Sequence, residues 1–274
     1  MNKNITVSAP AKLNLFLHIT GRREDGYHLL QTVFQFLDYA DTISLTLRED
    51  GVINRTTELA GVAAEDDLVV KAARSLQEHC ATSLGVDIAV DKVLPMGGGL
   101  GGGSSNAASV LVGLNHLWGC GLSQQELMAL GVKLGADVRV FIFAQSAWAE
   151  GVGEELKTVD LPEKWFLVLK PQINVSTAKV FANPQLQRDC STITIRDFLA
   201  GQTQSIGNVC EKPVREMYPE VDDALNDLAK YGESKLTGTG ACVFAAFDDR
   251  EKAEKALSEL SKKWNGFVAK GMNQ

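Results

Sequence analysis

Near the start of the chain, apolar positions recur with a period of two. Leu13, Leu15, Leu17 and Ile19 fall on one face of an extended segment, and Asn14, Phe16, His18 and Thr20 on the other. Residues 5–8, 13–20, 30–37 and 42–47 are short runs rich in Ile, Leu, Val, Phe and Thr, separated by Gly and Asp, and they predict four strands. The period then changes. Leu68, Ala72, Leu76 and Cys80 stand four apart, with Val69 and Ala73 on the same side, so a helix is expected over 67–81, capped by Asp66 or Asp67. A strand over 86–90 follows, then a helix over 104–118. Ser123-Gln-Gln-Glu126 is a capping-box pattern and opens a helix to about residue 134, which Gly135 ends. Residues 138–143, 147–150 and 164–170 read as strands, and 194–200, 210–218 and 219–231 as helices. The last segment reads strand, helix, strand over 242–247, 249–264 and 266–270, with Ala253, Ala256, Leu257 and Leu260 as the apolar stripe of its helix.

Strands and helices mix without strict alternation, which implies an α+β chain; 274 residues suffice for two domains. Polar residues separate two strand-like runs near Leu161-Pro162-Glu163, so the expected domains are 1–161 and 162–274. At 45% hydrophobic and 22% charged residues, the chain has the composition of a globular protein and not of a disordered one. With 27 basic against 34 acidic residues and no dense basic patch, nucleic acid is not the expected partner. The longest apolar runs, over 138–144 and 242–247, are too short to span a bilayer, and residues 1–7 have no apolar h-region, so no membrane partner is expected. Cys80, Cys120, Cys190, Cys210 and Cys242 form no C-x-x-C pair, and His18, His28, His79 and His116 show no metal-ligand spacing. Reduced thiols in a cytoplasmic protein are expected.

The most informative segment is Pro95-Met96-Gly97-Gly98-Gly99-Leu100-Gly101-Gly102-Gly103-Ser104-Ser105-Asn106. Ordering so many glycines is entropically costly. They permit close approach of a ligand to the backbone and the positive φ that builds anion-binding nests of N–H groups. A helix begins directly after them, and helix N-termini favour phosphate. Ser104 and Ser105 add hydroxyls where a cap or a metal-bound water would sit. The prediction is a cradle for a polyphosphate. A Rossmann fingerprint needs an acidic residue at the end of the next strand, but that stretch is the start of a helix at Ser123; a P-loop needs a Lys after the glycines, and none follows.

The segment resembles the phosphate loop of the GHMP kinases, named for galactokinase, homoserine, mevalonate and phosphomevalonate kinases. Ala9-Pro-Ala-Lys12-Leu-Asn14-Leu and Leu236-Thr-Gly-Thr-Gly-Ala-Cys242-Val-Phe resemble two further blocks of that family, in the family's order. Arg22-x-x-Asp25-Gly-Tyr27-His28-x-Leu-x-Thr32-Val-Phe-Gln35, Leu134-Gly-Ala-Asp137-Val and Ala149-Glu-Gly-Val-Gly-Glu154 narrow the likeness to the branch that phosphorylates a CDP-bearing alcohol for isoprenoid synthesis. The likeness runs over most of residues 5–272 and is weakest between about 189 and 221. It implies a two-domain GHMP kinase fold, an N-terminal β/α domain and a C-terminal ferredoxin-like α/β domain with the active site in the cleft between them. It also implies ATP as phosphoryl donor, Mg²⁺, a small-molecule substrate with a CDP group, and a monomer or homodimer.

The resemblance makes Asp137 the general base. A carboxylate is a weak base for an alcohol, but the transition state is largely dissociative, so orientation counts for more than basicity. Lys12 is its expected cationic partner, and Asn14, on the same face of the strand, is expected to hydrogen-bond the acceptor. Tyr27 and His28 suit the cytosine end, an aromatic face to stack and an imidazole to exchange hydrogen bonds; Phe181 is the expected second plane, with Thr177 nearby. Lys92 and Met96 are expected to line the adenine or ribose pocket. Gly238-Thr239-Gly240 is expected to close over the cleft with its N–H groups towards substrate phosphates. The choice between Ser104 and Ser105 for Mg²⁺ stays open. Two positions depart from the family pattern: Arg139, where a proline is expected, and Asp67, where Asn is expected. If 138–143 is extended, Arg139 and Asp137 share a face. Two alternatives stand: a family kinase for another small alcohol such as homoserine or mevalonate, which Tyr27-His28 argues against, and a non-catalytic nucleotide sensor, disfavoured by the presence of both Lys12 and Asp137.

Overall fold

A computed structural model of the chain describes residues 3–24, 26–59, 61–201 and 206–273; Asp25, in the block that runs from Arg22 to Gln35, lies outside the described residues. In chain order the elements are β1 (Asn4–Arg22), β2 (His28–Arg48), β3 (Ile53–Arg55), α1 (Leu68–His79), β4 (Gly85–Asp91), α2 (Gly102–Leu117), α3 (Gln124–Leu134), α4 (Val138–Phe143), β5 (Ala147–Glu150), β6 (Glu155–Thr158), β7 (Trp165–Lys170), α5 (Thr177–Ala182), α6 (Ile195–Leu199), α7 (Glu211–Met217), α8 (Pro219–Leu228), β8 (Ser234–Leu236), β9 (Val243–Phe247), α9 (Arg250–Leu260) and β10 (Asn265–Met272). The four strands expected before residue 48 are two long ones, each joining a pair. The short β3, β6, β8 and α5 carry too little periodicity to have been anticipated.

The chain forms two compact units that do not follow a single cut between 161 and 162. One contains residues 3–11, 40–94 and 101–144, the other 12–39, 95–100 and 145–273. The reason is pairing. β5 joins the first half of β2 through Thr32↔Ala149, Val33↔Trp148 and Phe34↔Ala147, and β6 joins β5. Val159 and Leu161 bury themselves with Phe16, Val33 and Trp148. Residues 145–161 therefore belong with the C-terminal part of the chain.

In the first unit the second half of β2 pairs antiparallel with β4, and β3 pairs parallel with β4. α1 buries Val69, Val70, Ala72, Ala73 and Leu76, as its spacing predicts, and Asp67 caps it by accepting from Val69 N at 3.1 Å. α2 is buried nearly all round. A Cβ on Gly113 would stand 2.6 Å from Leu45 Cδ1, so glycine is what lets α2 lie close on β2. Ser123 and Glu126 form the predicted capping box of α3. Gly135 ends α3 as expected but with φ of 171°, extended backbone. The expected strand over 138–143 is instead the helix α4. Val138 and Ile142, four apart, both meet the place where a Cβ of Gly131 would be, at 2.9 and 2.8 Å. That contact needs helical spacing, and a bare apolar run does not reveal it.

In the second unit the strands run β2-β10-β7-β9-β8, each pair antiparallel. From β7 onward the order is strand, helices, strand, strand, helix, strand, which is the ferredoxin-like arrangement expected. Its core joins Leu167 and Leu169 of β7, Val243 and Ala245 of β9, Val221, Leu225 and Leu228 of α8, and Ala253, Ala256 and Leu260 of α9. Among the described residues no helix is long and apolar enough to cross a membrane.

Candidate active site

The site residues expected from sequence fall in both units. In the second, Lys12 is only 3% exposed. Its backbone N–H donates to Leu100 O at 3.0 Å, which ties β1 to the glycine loop. Its Nζ donates to Asn14 Oδ1 at 2.6 Å and lies 5.4 Å from the centre of the Phe34 ring. Asn14 Nδ2 donates to Thr32 Oγ1 at 3.0 Å, and the Thr32 hydroxyl donates to Phe16 O. The Asn14 amide is thus fixed from both sides, and it orients the ammonium beside it. Asn14 N donates to Thr237 Oγ1 at 3.0 Å, so β1 also holds the loop that follows β8.

That loop and the glycine run touch closely. A Cβ on Gly98 would meet Cys242 Sγ at 2.6 Å, and one on Gly99 would meet Thr237 O at 2.3 Å. Cys242 N donates to Gly98 O at 3.1 Å. Gly97, Gly99, Gly238 and Gly240 all have positive φ, between 56° and 91°. Asn208 braces the second loop, donating from Nδ2 to Leu236 O at 3.0 Å and to Gly238 O at 2.7 Å. Thr177 and Thr239 share a hydroxyl hydrogen bond of 2.8 Å. Leu100 is 1% exposed, so within the loop its side chain is an anchor, while Met96 is 44% exposed.

Of the expected base-binding residues, Tyr27 is 67% exposed. His28 and Phe181 stack, with ring centres 5.2 Å apart and planes at 28°. Arg188, which the sequence did not single out, donates from Nε to His28 Nε2 at 3.3 Å. Burial first, then the Arg188 and Arg22 charges, lower the proton affinity of His28.

In the first unit, α2 opens at Gly101, whose φ is 73°, with no side-chain cap. Ser104 and Ser105 are therefore not at the cap but inside the first turn. Ser105 Oγ and Asn106 Oδ1 are buried with no partner among the described residues. Lys92 Nζ would be 3.0 Å from a Cβ on Gly102, and a Cβ on Gly103 would be 3.6 Å from Leu68. Lys92 forms an ion pair with Asp41, whose carboxylate also accepts from Val93 N at 2.8 Å and Leu94 N at 2.7 Å. Lys92 is thus a held cation at the first turn of α2. Asp137 is the N-cap residue of α4, though its side chain does not cap it. A Cβ on Gly135 would stand 3.7 Å from Ser104 Oγ, so the turn leading to Asp137 lies against that same first turn.

Both departures look different in the fold. On a helix, residues two apart point about 200° from each other, so Arg139 does not share a face with Asp137. Its Nε is buried without a partner among the described residues. Asp67 is committed to Arg55, Nη1 to Oδ2 at 2.7 Å, with both side chains nearly buried. That ion pair gives the Asp a partner of its own.

Thr32, Asp41, Arg188, Asn208 and Thr237 were not anticipated as site residues. Thr32 and Thr237 lie inside the matched blocks and were readable there. Arg188 and Asn208 lie at or within the stretch of weakest resemblance.

An uncapped, glycine-opened helix with buried orphan hydroxyl and amide oxygens, a held lysine and a carboxylate on the adjoining turn is an arrangement able to take a phosphate group, without the Rossmann or P-loop pattern. Residues 67–145 match the model of the GHMP kinases N terminal domain, and residues 191–266 that of the GHMP kinases C terminal domain. The chain belongs to the GHMP kinase family. It is 55% identical over 97% of its length to a 4-diphosphocytidyl-2-C-methyl-D-erythritol kinase of Nitrosococcus oceani, covering 94% of that protein. It superposes on a crystal structure of 4-(cytidine 5'-diphospho)-2C-methyl-D-erythritol kinase with a TM-score of 0.85 at 29% identity, over 98% of this chain and 100% of that one. A homoserine kinase from Cytophaga hutchinsonii shares the fold, with a TM-score of 0.70 at 17% identity over 100% of this chain and 96% of that one.

Proposed function

We propose that this protein transfers the γ-phosphoryl group of ATP to the 2-hydroxyl of 4-diphosphocytidyl-2-C-methyl-D-erythritol, giving the 2-phosphate and ADP. The observation that carries the reading is the near-full-length likeness to relatives of that name, at 52–55% identity. The stacked His28–Phe181 pair and the exposed Tyr27 support a base-bearing acceptor over a bare small alcohol.

Main-chain N–H groups of residues 97–104 bind the triphosphate, helped by the Lys92 cation. The first turn of α2, with no side-chain cap, offers its N–H groups to phosphate oxygens. Among the described residues no cluster of His, Cys, Asp and Glu forms a metal cage. The Ser104 or Ser105 hydroxyl would be the protein's contribution to holding a Mg²⁺, which when bound would neutralise phosphate charge. Asp137 orients the acceptor hydroxyl and takes its proton, and Lys12, held by Asn14, supplies positive charge for the transferring group. Lys92, Met96 and Pro95 serve the nucleotide, and Thr177, Gly238, Thr239 and Gly240 the acceptor's diphosphate. The protein works in the cytoplasm.

ADP release measured with the CDP-alcohol, mevalonate and homoserine as acceptors tests the reading. Turnover on the first alone, with a phosphomonoester appearing in the ³¹P spectrum of the product, is expected. Turnover on mevalonate or homoserine in its place refutes it.

A further inference from the structure

We propose that Arg188 is a positioning residue for base selection: its Nε–H fixes His28 as the Nδ1–H tautomer, a hydrogen-bond donor, so the subsite takes a base edge that carries an acceptor nitrogen and rejects one that carries N–H there. This rests on the CDP-bearing acceptor proposed above. Cytosine presents an acceptor at N3, and uracil presents a donor at the same position.

The chemistry of the two side chains leaves one choice. A guanidinium is always protonated, with five N–H donors and no acceptor. The nitrogen of His28 that faces Arg188 Nε, at 3.3 Å, is Nε2, so Nε2 holds the lone pair. In a neutral imidazole the proton is then on Nδ1. Burial and the cations Arg188 and Arg22 oppose a second proton on the ring.

Arg188 cannot easily turn away. Its Nη1 donates to Leu186 O at 2.9 Å, and its Nη2 donates to Phe181 O at 2.7 Å and Asn183 O at 3.0 Å. These carbonyls belong to the end of α5 and the turn after it. They fix the fork and leave Nε for His28. The Phe181 ring lies along the imidazole and sets its plane. Plane, position and proton of His28 are therefore all set by one short segment, residues 181–188. A donor set this firmly meets the N3 of cytosine as a partner and the N3–H of uracil as a second donor. A built hydrogen-bonding site discriminates strongly because the wrong ligand leaves buried polar groups unpaired.

The test has two arms. In protein labelled with ¹⁵N-histidine, with the His28 signals assigned by their loss in His28→Gln, the wild type is expected to show the Nδ1–H tautomer at pH 7. Arg188→Met, which keeps the aliphatic stem and loses the donors, is expected to revert to the Nε2–H form that free imidazole side chains prefer. A wild-type His28 that carries its proton on Nε2, or on both nitrogens, overturns the proposal, and this reading needs no variant of Arg188 to fold. The second arm compares kcat/KM for the CDP-alcohol and its UDP analogue. Arg188→Met is expected to lower the CDP-over-UDP ratio by about tenfold or more, chiefly through KM for the CDP-alcohol, as one lost hydrogen bond predicts. Arg188→Gln, whose amide can still donate to Nε2, is expected to restore the ratio. A fall in both substrates with the ratio unchanged means that Arg188 only supports the end of α5, and overturns the proposal. A wild type inactive on both nucleotides defeats the substrate reading, while the tautomer result still decides what Arg188 does.

Discussion

Replacing Gly99 by alanine separates two physical costs that a glycine-rich loop ordinarily mixes. The control is Gly97→Ala. Both glycines have left-handed backbone, with φ of 76° and 67°. Each substitution therefore incurs the left-handed penalty of a residue with a Cβ, about 1–2 kcal/mol. Beyond that they differ. The new Cβ at 97 meets only Asn174 Oδ1 at 3.6 Å, an ordinary contact. At 99 it meets Thr237 O at 2.3 Å, Thr237 C at 3.1 Å and Gly240 O at 3.2 Å, all backbone. No side chain can turn aside, so the two loops must part by about 1 Å, at a further cost of about 1–3 kcal/mol. For a chain of this size that amounts to a melting temperature lower by about 2–6 °C for Gly97→Ala and by roughly twice that for Gly99→Ala. Because the displaced loops carry the groups proposed to hold phosphate, Gly99→Ala is also expected to lose about a hundredfold in kcat/KM for ATP. Circular dichroism melts without ligand, followed by steady-state assays, check both numbers. Equal melting temperatures for the two variants would refute the reasoning, since the contact with Thr237 would then have no consequence.

Three further outcomes follow from single side chains. Asp137→Ala is expected to abolish phosphoryl transfer through kcat while acceptor binding, measured by calorimetry, stays within about tenfold of wild type. Asp41→Ala strips the partner from Lys92 and from two backbone N–H groups at a fully buried position, and a loss of about 3–5 kcal/mol is expected in urea unfolding; a change under 1 kcal/mol, about what a surface pair is worth, contradicts the assigned role. Asp227 accepts from Lys230, Lys263 and Trp264, which hold its carboxyl well below the ordinary 3.8. A depressed carboxyl contributes stability above its unfolded value and loses it on acidification, so melting temperature should fall as pH drops below about 4; Asp227→Asn is expected to flatten that slope between about pH 4 and 2, and an unchanged slope places the acid-labile group elsewhere.

How much of this was legible beforehand depends on where each residue's meaning resides. α1, α9 and the capping box at Ser123 carry their own periodicity and caps, and the sequence shows them. β2 does not look like one strand because Asp38 and Asp41 interrupt the apolar run. Asp41 is nonetheless fully buried, because Lys92 and the N–H groups of Val93 and Leu94, some fifty positions away, satisfy it. No local rule sees those partners. The same holds for α4, where helix wins over strand because Gly131, on another helix, leaves room for both Val138 and Ile142.

The site divides in the same way. The roles proposed for Lys12, Asp137 and the glycines rest on their own chemistry, and a dense glycine run before a helix is a pattern visible in the sequence. Asn208 and Arg188 act only by holding something else: one braces the carbonyls of Leu236 and Gly238, the other sets the nitrogen of His28 that bears the proton. An asparagine or arginine in a loop has no pattern of its own, and its function exists only once the fold has brought its partners within reach. A variant altered at either position would keep every recognisable motif and still present a different site. The motifs therefore point to a moved phosphoryl group and a base-bearing acceptor, whereas the residues that hold those groups in place are identified only by the three-dimensional structure.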